Sequence, residues 1–259
     1  MSGTQKPNNG WPEGDAVVAC LDVECHCRNQ SYKEFQQGIR NTERRVTEIG
    51  IASFDPRRLP RGQAGDRGVN TWRHIKACNL AIKEHKHVIT KKHPSWCLTG
   101  DAVAFDFGDT QWVWKSAIKN AVVRKIRTVL GDGKASATAP YHNQRPVVFL
   151  FFDTTNDVTW LEGLGIDLKR EFPNSDTYDI QCLDLAMMLA QRRGRVRVSA
   201  QRVLDYLGFA TTHKHNGGND AVYELRAFIA EETLRGQFDD VEPRDLYWSM
   251  LGMHGEVLE

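Results

Sequence analysis

The sequence carries almost no net charge, and this absence removes the simplest indication of a binding partner. It has 34 Lys and Arg residues against 33 Asp and Glu residues, so the formal net charge is +1. A preference for nucleic acid or for a membrane surface must therefore come from local patches of charge. The 259 residues, of which 41% are hydrophobic and 26% charged, suit one globular α/β domain with a complete core.

Long apolar runs and paired cysteine motifs are also missing. No stretch approaches the length that a membrane-spanning helix needs. Residues 1–15 are polar and rich in Gly, Pro and Asn, without the apolar core of a signal peptide, so we expect a short disordered leader. The six cysteines show no paired framework, which favours reduced thiols in a cytoplasmic or nuclear protein.

The most informative stretch is residues 17–24, an apolar run that ends in two acids. Such a run predicts a strand that is buried on both faces. Asp22 and Glu24 are two residues apart, so the alternation of a strand directs both side chains to one face. Either the strand end reaches solvent, or the two acids share a crevice where a pair of hard divalent ions offsets their repulsion.

The remaining pattern predicts an α/β fold, with a mixed five-stranded sheet and helices on both faces. An antiparallel meander comes first and parallel strands follow. The strands are predicted at residues 17–24, 46–54, 69–77, 147–152 and 177–182. The main helices are predicted at residues 116–130, 184–191, 199–207 and 219–235. One domain then spans residues 16–236, with an insertion at about 79–112 and a C-terminal arm at 237–259.

Three further polar residues lie at comparable places in the predicted fold. Asp157 follows the second apolar strand at the start of a helix, and Asp220 begins the last helix, shortly after His215. Groups that follow the ends of central strands converge on one crevice in α/β sheets. Taken singly, Asp157 could cap its helix, Asp220 could compensate the helix dipole, and His215 could be an exposed loop residue.

The joint order of these residues resembles the DEDDh family of 3′–5′ exonucleases, within the ribonuclease-H-like superfamily. The three motifs are residues 21–24 (LDVE), 156–161 (NDVTWL) and 215–221 (HNGGNDA). Residues 47–52 (TEIGIA) and 203–208 (VLDYLG) are also similar to the family. The resemblance covers residues 16–235, and the insertion is similar to that of a fungal branch of these nucleases. Cys25-His26 and Phe151-Phe152 stand where many members have Thr-Gly and Gly-His.

The resemblance implies hydrolysis of a single-stranded DNA or RNA 3′ end by two Mg²⁺ or Mn²⁺ ions. The implied metal ligands are Asp22, Glu24, Asp157 and Asp220. The implied general base is His215, which residues 216–219, a turn with two glycines, allow to swing toward the attacking water. The implied substrate contacts are Val23, Cys25, His26 and Asn216. The alternative is a nuclease-like module that binds nucleic acid or protein without efficient cleavage.

Two basic segments and one segment with two cysteines can each be interpreted in two ways. Residues 83–96 are rich in Lys and His and form either a solvated loop or a flap that contacts phosphates. Residues 191–197 are rich in Arg and form either a basic turn or a phosphate contact. Residues 25–27 (CHC) could suggest zinc, but alternation directs both cysteines away from the acids and no second cysteine pair exists, so zinc is not expected.

Overall fold

The computed structural model describes residues 16–26, 45–58, 63–86, 101–130, 145–191, 194 and 197–237. The predicted leader, nearly all of the C-terminal arm, Cys27, residues 87–96 of the Lys/His-rich segment and four residues of the Arg-rich segment lie outside this part of the chain. No helix in the described ranges is both long enough and apolar enough to cross a membrane.

Six strands form one mixed sheet with the order β4-β3-β2-β1-β5-β6. They are β1 Val17–His26, β2 Arg45–Phe54, β3 Lys76–Ile82, β4 Thr110–Val113, β5 Val147–Phe151 and β6 Ser175–Asp179. The β1–β2 and β2–β3 pairs are antiparallel, and the β3–β4, β1–β5 and β5–β6 pairs are parallel. The mixed α/β fold is therefore confirmed, with six strands and not five.

The difference in strand count and the position of the third strand are corrections to the sequence-based prediction. The additional strand β4 lies in the segment predicted as an insertion, and β3 begins at Lys76 and not at Val69. Residues Asp66–His74 are instead 3-10 helical, with a kink at Arg67 and Gly68, whose backbone angles are left-handed (φ 48° and 71°).

Among the described residues there are six α-helices: α1 Ile118–Leu130, α2 Thr154–Gly163, α3 Leu168–Glu171, α4 Asp184–Gln191, α5 Ala200–Tyr206 and α6 Gly217–Gln237. The predicted burial of β1 on both faces is confirmed, because its side chains alternate between two cores. Val17, Ala19 and Leu21 pack with apolar residues of α1, whereas Val18 and Cys20 pack with those of α6. Asp22 and Glu24 continue the second series and so face α6.

The start of α6 lies directly against β2, and two glycines permit this close approach. A Cβ atom on Gly50 of β2 would lie 1.8 Å from the carbonyl oxygen of Gly217. A Cβ atom on Gly218 would lie 2.7 Å from the Phe105 ring and 2.8 Å from Cβ of Asn79. Because Gly50 pairs with Asp22 in the sheet, this packing places the first turn of α6 beside the acid-bearing end of β1.

Candidate metal and catalytic site

A cavity of about 330 Å³ opens between the end of β1 and the first turns of α6. Its polar lining includes Asp22 and Glu24 from β1, His215, and Asp220 and Glu224 from α6. Four of the five residues that the motifs single out therefore share one crevice, as the sequence pattern predicts. The alternative in which Asp22 and Glu24 simply reach solvent does not fit their partial burial.

Asp22 is the most poorly compensated acid of this cavity. Its Oδ2 atom is buried and has no hydrogen-bond partner. Burial raises the pKa of Asp22 well above its usual value, and the charges of Glu224, Asp157 and Asp220 raise it further. The pKa of Glu24 is raised in the same way, first by burial and then by Asp22. These carboxyls are short of positive charge, which is the condition that a bound cation relieves.

Asp157 lies in the first turn of α2, which follows β5, the parallel neighbour of β1 in the sheet. The helix follows Asp153, which occupies the capping position, so Asp157 is not the cap. Asp157 is 5% exposed, and its carboxylate accepts a hydrogen bond from the backbone N–H of Val23. Burial and the neighbouring Asp153 raise its pKa. Asp157 does not line the cavity, but its charge raises the pKa of Asp22, so the two acids interact.

His215 and Asp220 are held together at the mouth of the cavity. The backbone N–H of His215 donates to Oδ2 of Asp220 at 2.7 Å, and Nδ1 of His215 lies 3.9 Å from Oε1 of Glu24. Burial and the nearby Lys214 lower the pKa of His215, so its imidazole is neutral near pH 7. Burial raises the pKa of Asp220 to about 6.

A divalent cation fits the side chains that the structure brings together. One ligand atom each from Glu24, His215 and Asp220 lies within 4.8 Å of the others. In the described ranges this is the one group of three or more His, Cys, Asp or Glu side chains with that geometry. Two of the three ligand atoms are carboxylate oxygens and no cysteine belongs to the group, which suits a hard divalent ion.

Side-chain hydrogen bonds anchor the residues that follow His215. Asn216 is fully buried, and its side-chain amide donates to the carbonyl oxygens of Asp101 and Ala102. Asn219 donates to the carbonyl oxygens of Ala104 and His213. Residues 217–219 belong to the first turn of α6, where the glycines permit close packing. The swing of His215 toward an attacking water stays a prediction.

The predicted substrate contacts are placed less favourably than the acids. Val23 (4% exposed) and Cys25 (7% exposed) pack into the core on the α1 side of the sheet, because strand alternation directs them away from Asp22. The Asn216 amide is occupied by the carbonyl oxygens described above. His26 is 9% exposed at the end of β1. The structure therefore gives Val23, Cys25 and Asn216 no free side-chain surface in the crevice.

Two further buried acids border the site, and the sequence analysis did not select them. Glu224 is 4% exposed, lines the cavity and accepts a hydrogen bond from Sγ of Cys20 at 3.5 Å. Its spacing of four residues from Asp220 on a helix is a readable signal. Glu48 pairs with Glu24 across β1 and β2, and burial raises its pKa to about 7. Only the pairing register of β1 and β2 shows that Glu48 lies beside Glu24.

A mixed sheet with the acid-bearing strand at its centre, covered by helices, is a ribonuclease-H-like α/β fold. The model of the family DEDDh_C, described as DNA polymerase III subunit epsilon-like, C-terminal domain, matches residues 17–231. The chain belongs to this DEDDh exonuclease family, as its motifs predict. A search of curated proteins found no match. Membership indicates a nuclease, and the family typically uses divalent metal ions.

Proposed function

We propose that this protein is a metal-dependent 3′–5′ exonuclease that hydrolyses phosphodiester bonds at single-stranded 3′ ends of DNA or RNA. The observation that carries the proposal is the buried Asp22 Oδ2 atom, which has no hydrogen-bond partner and is surrounded by other acids. Buried acids of this kind are retained at functional sites and not for stability, since each raises the cost of ionising the others.

Asp22, Glu24, Asp157 and Asp220 are the proposed ligands of two Mg²⁺ or Mn²⁺ ions. The charges of Asp157 and Asp220 both act on the carboxyl of Asp22, which supports its place in this set. Ions held by these residues would supply a water of lowered pKa and would stabilise the charge on the attacking and leaving oxygens. The Val23 N–H bond to Asp157 and the His215 N–H bond to Asp220 orient two of the four carboxylates before any ion arrives.

His215 is the proposed general base. Its lowered pKa leaves the imidazole neutral, and its side chain remains 41% exposed at the cavity mouth. The attacking water transfers a proton to this imidazole as its oxygen bonds to phosphorus, and the bond from phosphorus to the 3′ oxygen of the preceding nucleotide breaks. Asp220 holds the backbone of His215 at 2.7 Å, which limits the positions that the ring can adopt.

The size of the cavity supports a single-stranded end as the substrate. About 330 Å³ is at the lower end of the range for small-ligand sites, so it suits one terminal nucleotide. A paired end does not reach the acids unless its last base pair opens, and opening costs unstacking energy. The proposal includes no sequence preference.

Digestion of labelled single strands tests this proposal. Matched DNA and RNA strands with a 5′ label are incubated with Mg²⁺, Mn²⁺ or EDTA, and the products are resolved by length. We expect a ladder that shortens from the 3′ end with either metal and none with EDTA. Asp22→Asn should reduce the rate to background. The control Asp176→Asn, at an exposed position of β6, should retain the wild-type rate.

Two outcomes would contradict the proposal. A ladder that shortens from the 5′ end, visible with 3′-labelled strands, would reverse the polarity. Strand binding without cleavage in either metal, with Asp22→Asn indistinguishable from wild type, would instead support the nuclease-like binding module.

A further inference from the structure

Two lysines lie over two tryptophans at the β4 edge of the sheet. The ammonium nitrogen of Lys83 is 5.0 Å from the centre of the Trp114 ring, and that of Lys86 is 5.1 Å from the centre of the Trp112 ring. Both distances are within the range of cation–π contacts. We call these four residues the Lys–Trp edge. The lysines begin the Lys/His-rich segment for which the sequence left a phosphate contact open.

The residues between the two lysines hold this arrangement in place. The Glu84 carboxylate accepts the backbone N–H of Lys115 with both oxygens, at 3.0 and 2.9 Å. Nδ1 of His85 donates to the carbonyl oxygen of Val46 on β2 at 2.6 Å. The turn is therefore joined both to the residue that follows Trp114 and to the sheet. Glu84 is the acid within the turn, and a backbone N–H already engages its charge.

The Lys–Trp edge lies in register with the acid pair of β1. Glu24 pairs with Glu48, Glu48 with Ala81, and Ala81 with Trp112, so one row of residues crosses four strands. Residues paired in this way project to the same face of the sheet. Three strand spacings separate the ends of the row, which is about 14 Å. Trp114 directly follows β4, two residues after Trp112, and its backbone is still extended (φ −65°, ψ 142°).

Trp114 is available to a partner. It is 57% exposed, and Lys83 and Lys86 are exposed beside it. A flat aromatic ring next to fixed positive charges is the combination that binds single-stranded nucleic acid, because bases stack on the ring and phosphates contact the lysines. Such stacking depends little on sequence, since every base has a flat face.

We propose that the Lys–Trp edge binds the part of a single nucleic-acid strand that lies 5′ of the nucleotide in the catalytic cavity. A base stacks on Trp114, and phosphates contact Lys83 and Lys86. This inference rests on the proposed exonuclease function, because it assigns a path to the strand whose 3′ end enters the cavity. The edge holds longer strands, whereas a strand that only fills the cavity does not reach it.

A comparison of strand lengths tests the inference. Binding of a fluorescently labelled mononucleotide and of a labelled single strand of about 12 nucleotides is measured by anisotropy with EDTA, which prevents cleavage. We expect Trp114→Ala to reduce the affinity advantage of the longer strand by about tenfold or more. The control Tyr178→Ala removes an aromatic side chain that is also 57% exposed, on the opposite edge strand β6, and should leave the advantage unchanged.

Salt dependence supplies a second test that does not require loss of a large side chain. The double variant Lys83→Gln/Lys86→Gln should reduce the slope of log affinity against log salt by about 1.4, since each phosphate contact on a single strand contributes about 0.7. The control Lys76→Gln changes an exposed lysine at the far end of β3 and should keep the wild-type slope.

Each component of the inference can fail separately from the proposed function. If the wild type cleaves strands but Trp114→Ala and the double lysine variant keep the full length advantage, the Lys–Trp edge is not the strand path and the exonuclease proposal stands. If an abasic strand of equal length binds as tightly as the normal strand, stacking on Trp114 is excluded. If the wild type neither binds nor cleaves any strand, the proposed function itself fails.

Discussion

Asp55 and Asp22 lie at opposite ends of the β1–β2 strand pair, and among the described residues the chain places positive charges beside Asp55 but not beside Asp22. Asp55 directly follows β2 and is 8% exposed, yet Arg57 and Arg145 each bond its carboxylate at about 3.0 Å. The two arginines hold its pKa well below the usual range, against the opposing effect of burial. Asp22, at the other end, has no Lys or Arg within salt-bridge distance among the described residues, and its pKa is raised.

The difference supports the proposed role of the cavity acids as metal ligands. Where a buried acid supports the structure, as Asp55 does, the chain supplies its own cations. In the cavity, the pKa values of Asp22 and Glu224 are raised, which means that their negative charges are not compensated. A bound ion or a proton has to neutralise them. The contrast between Asp55 and Asp22 distinguishes a structural acid from a site acid without reference to any motif.

Replacing Asp22 or Asp55 by asparagine should give the largest difference in melting temperature between the two sites. Asp22→Asn should raise the melting temperature of the metal-free protein, because it removes repulsion, and should remove most of the stabilisation by Mn²⁺. That stabilisation is about 2.7 kcal/mol when the metal is at a hundredfold excess over its Kd. Asp55→Asn should instead lower the metal-free melting temperature and keep the Mn²⁺ shift. If differential scanning fluorimetry gives the two variants the same melting temperatures and the same Mn²⁺ shifts, the proposed difference between Asp22 and Asp55 is wrong.

His215→Ala sharpens the comparison by separating the base from the ligands. We expect a loss of about 10²- to 10⁴-fold in kcat, which is the usual contribution of a positioned general base. The Mn²⁺-induced rise in melting temperature should remain close to that of the wild type. A lost Mn²⁺ shift would show that His215 is a metal ligand, which its distance to Glu24 and Asp220 also permits.

The pH dependence of stability should have opposite signs at the two sites. Glu48 beside the cavity has a pKa of about 7 in the folded protein, against about 4.5 unfolded. The folded state therefore keeps a proton that the unfolded state has released, so stability falls as pH rises from about 4.5 to 7. Glu48→Gln should reduce this fall by at most about 3 kcal/mol.

Urea denaturation of the metal-free protein at several pH values measures this effect. Glu162→Gln, at an exposed position of α2, is the matched control and should keep the wild-type pH dependence. An unchanged slope in Glu48→Gln would mean that Glu48 does not titrate in this range. Added Mn²⁺ should also flatten the slope, because a bound cation favours the ionised carboxyls.

Arg145→Met gives the smallest expected effect and tests the compensated site. The variant leaves Asp55 with Arg57 alone, and Arg57 is half exposed, so we expect a loss of about 1–3 kcal/mol at pH 7. Because the depressed pKa of Asp55 contributes stability above its unfolded pKa, this loss should shrink as pH falls through the acid range. Arg58→Met, at an exposed neighbouring position, is the control. A loss that is constant from pH 3 to 7 would contradict the assignment to the Asp55 charge.

Local patterns predicted the parts of the fold and site that depend on a single element. The apolar run before Asp22 identified a strand buried on both faces, and its two-residue period placed Glu24 on the same face. The α1 and α4 helices were recognisable from their own spacing of apolar residues. The third strand was misplaced because residues 69–77 have a plausible strand composition, whereas the folded chain is 3-10 helical up to His74 and extended only from Lys76.

By itself, the sequence determined the family, the central acid-bearing strand and the order of the five motif residues, since these are encoded over short stretches. The tertiary structure decided which residues surround them. Glu48 beside Glu24, Trp112 in the same row, and Gly50 against Gly217 all depend on strand register and helix packing. Register is set by the contacts of the whole sheet, and a shift of one residue turns each side chain to the other face. The neighbours of Asp22 are therefore a property of the folded chain.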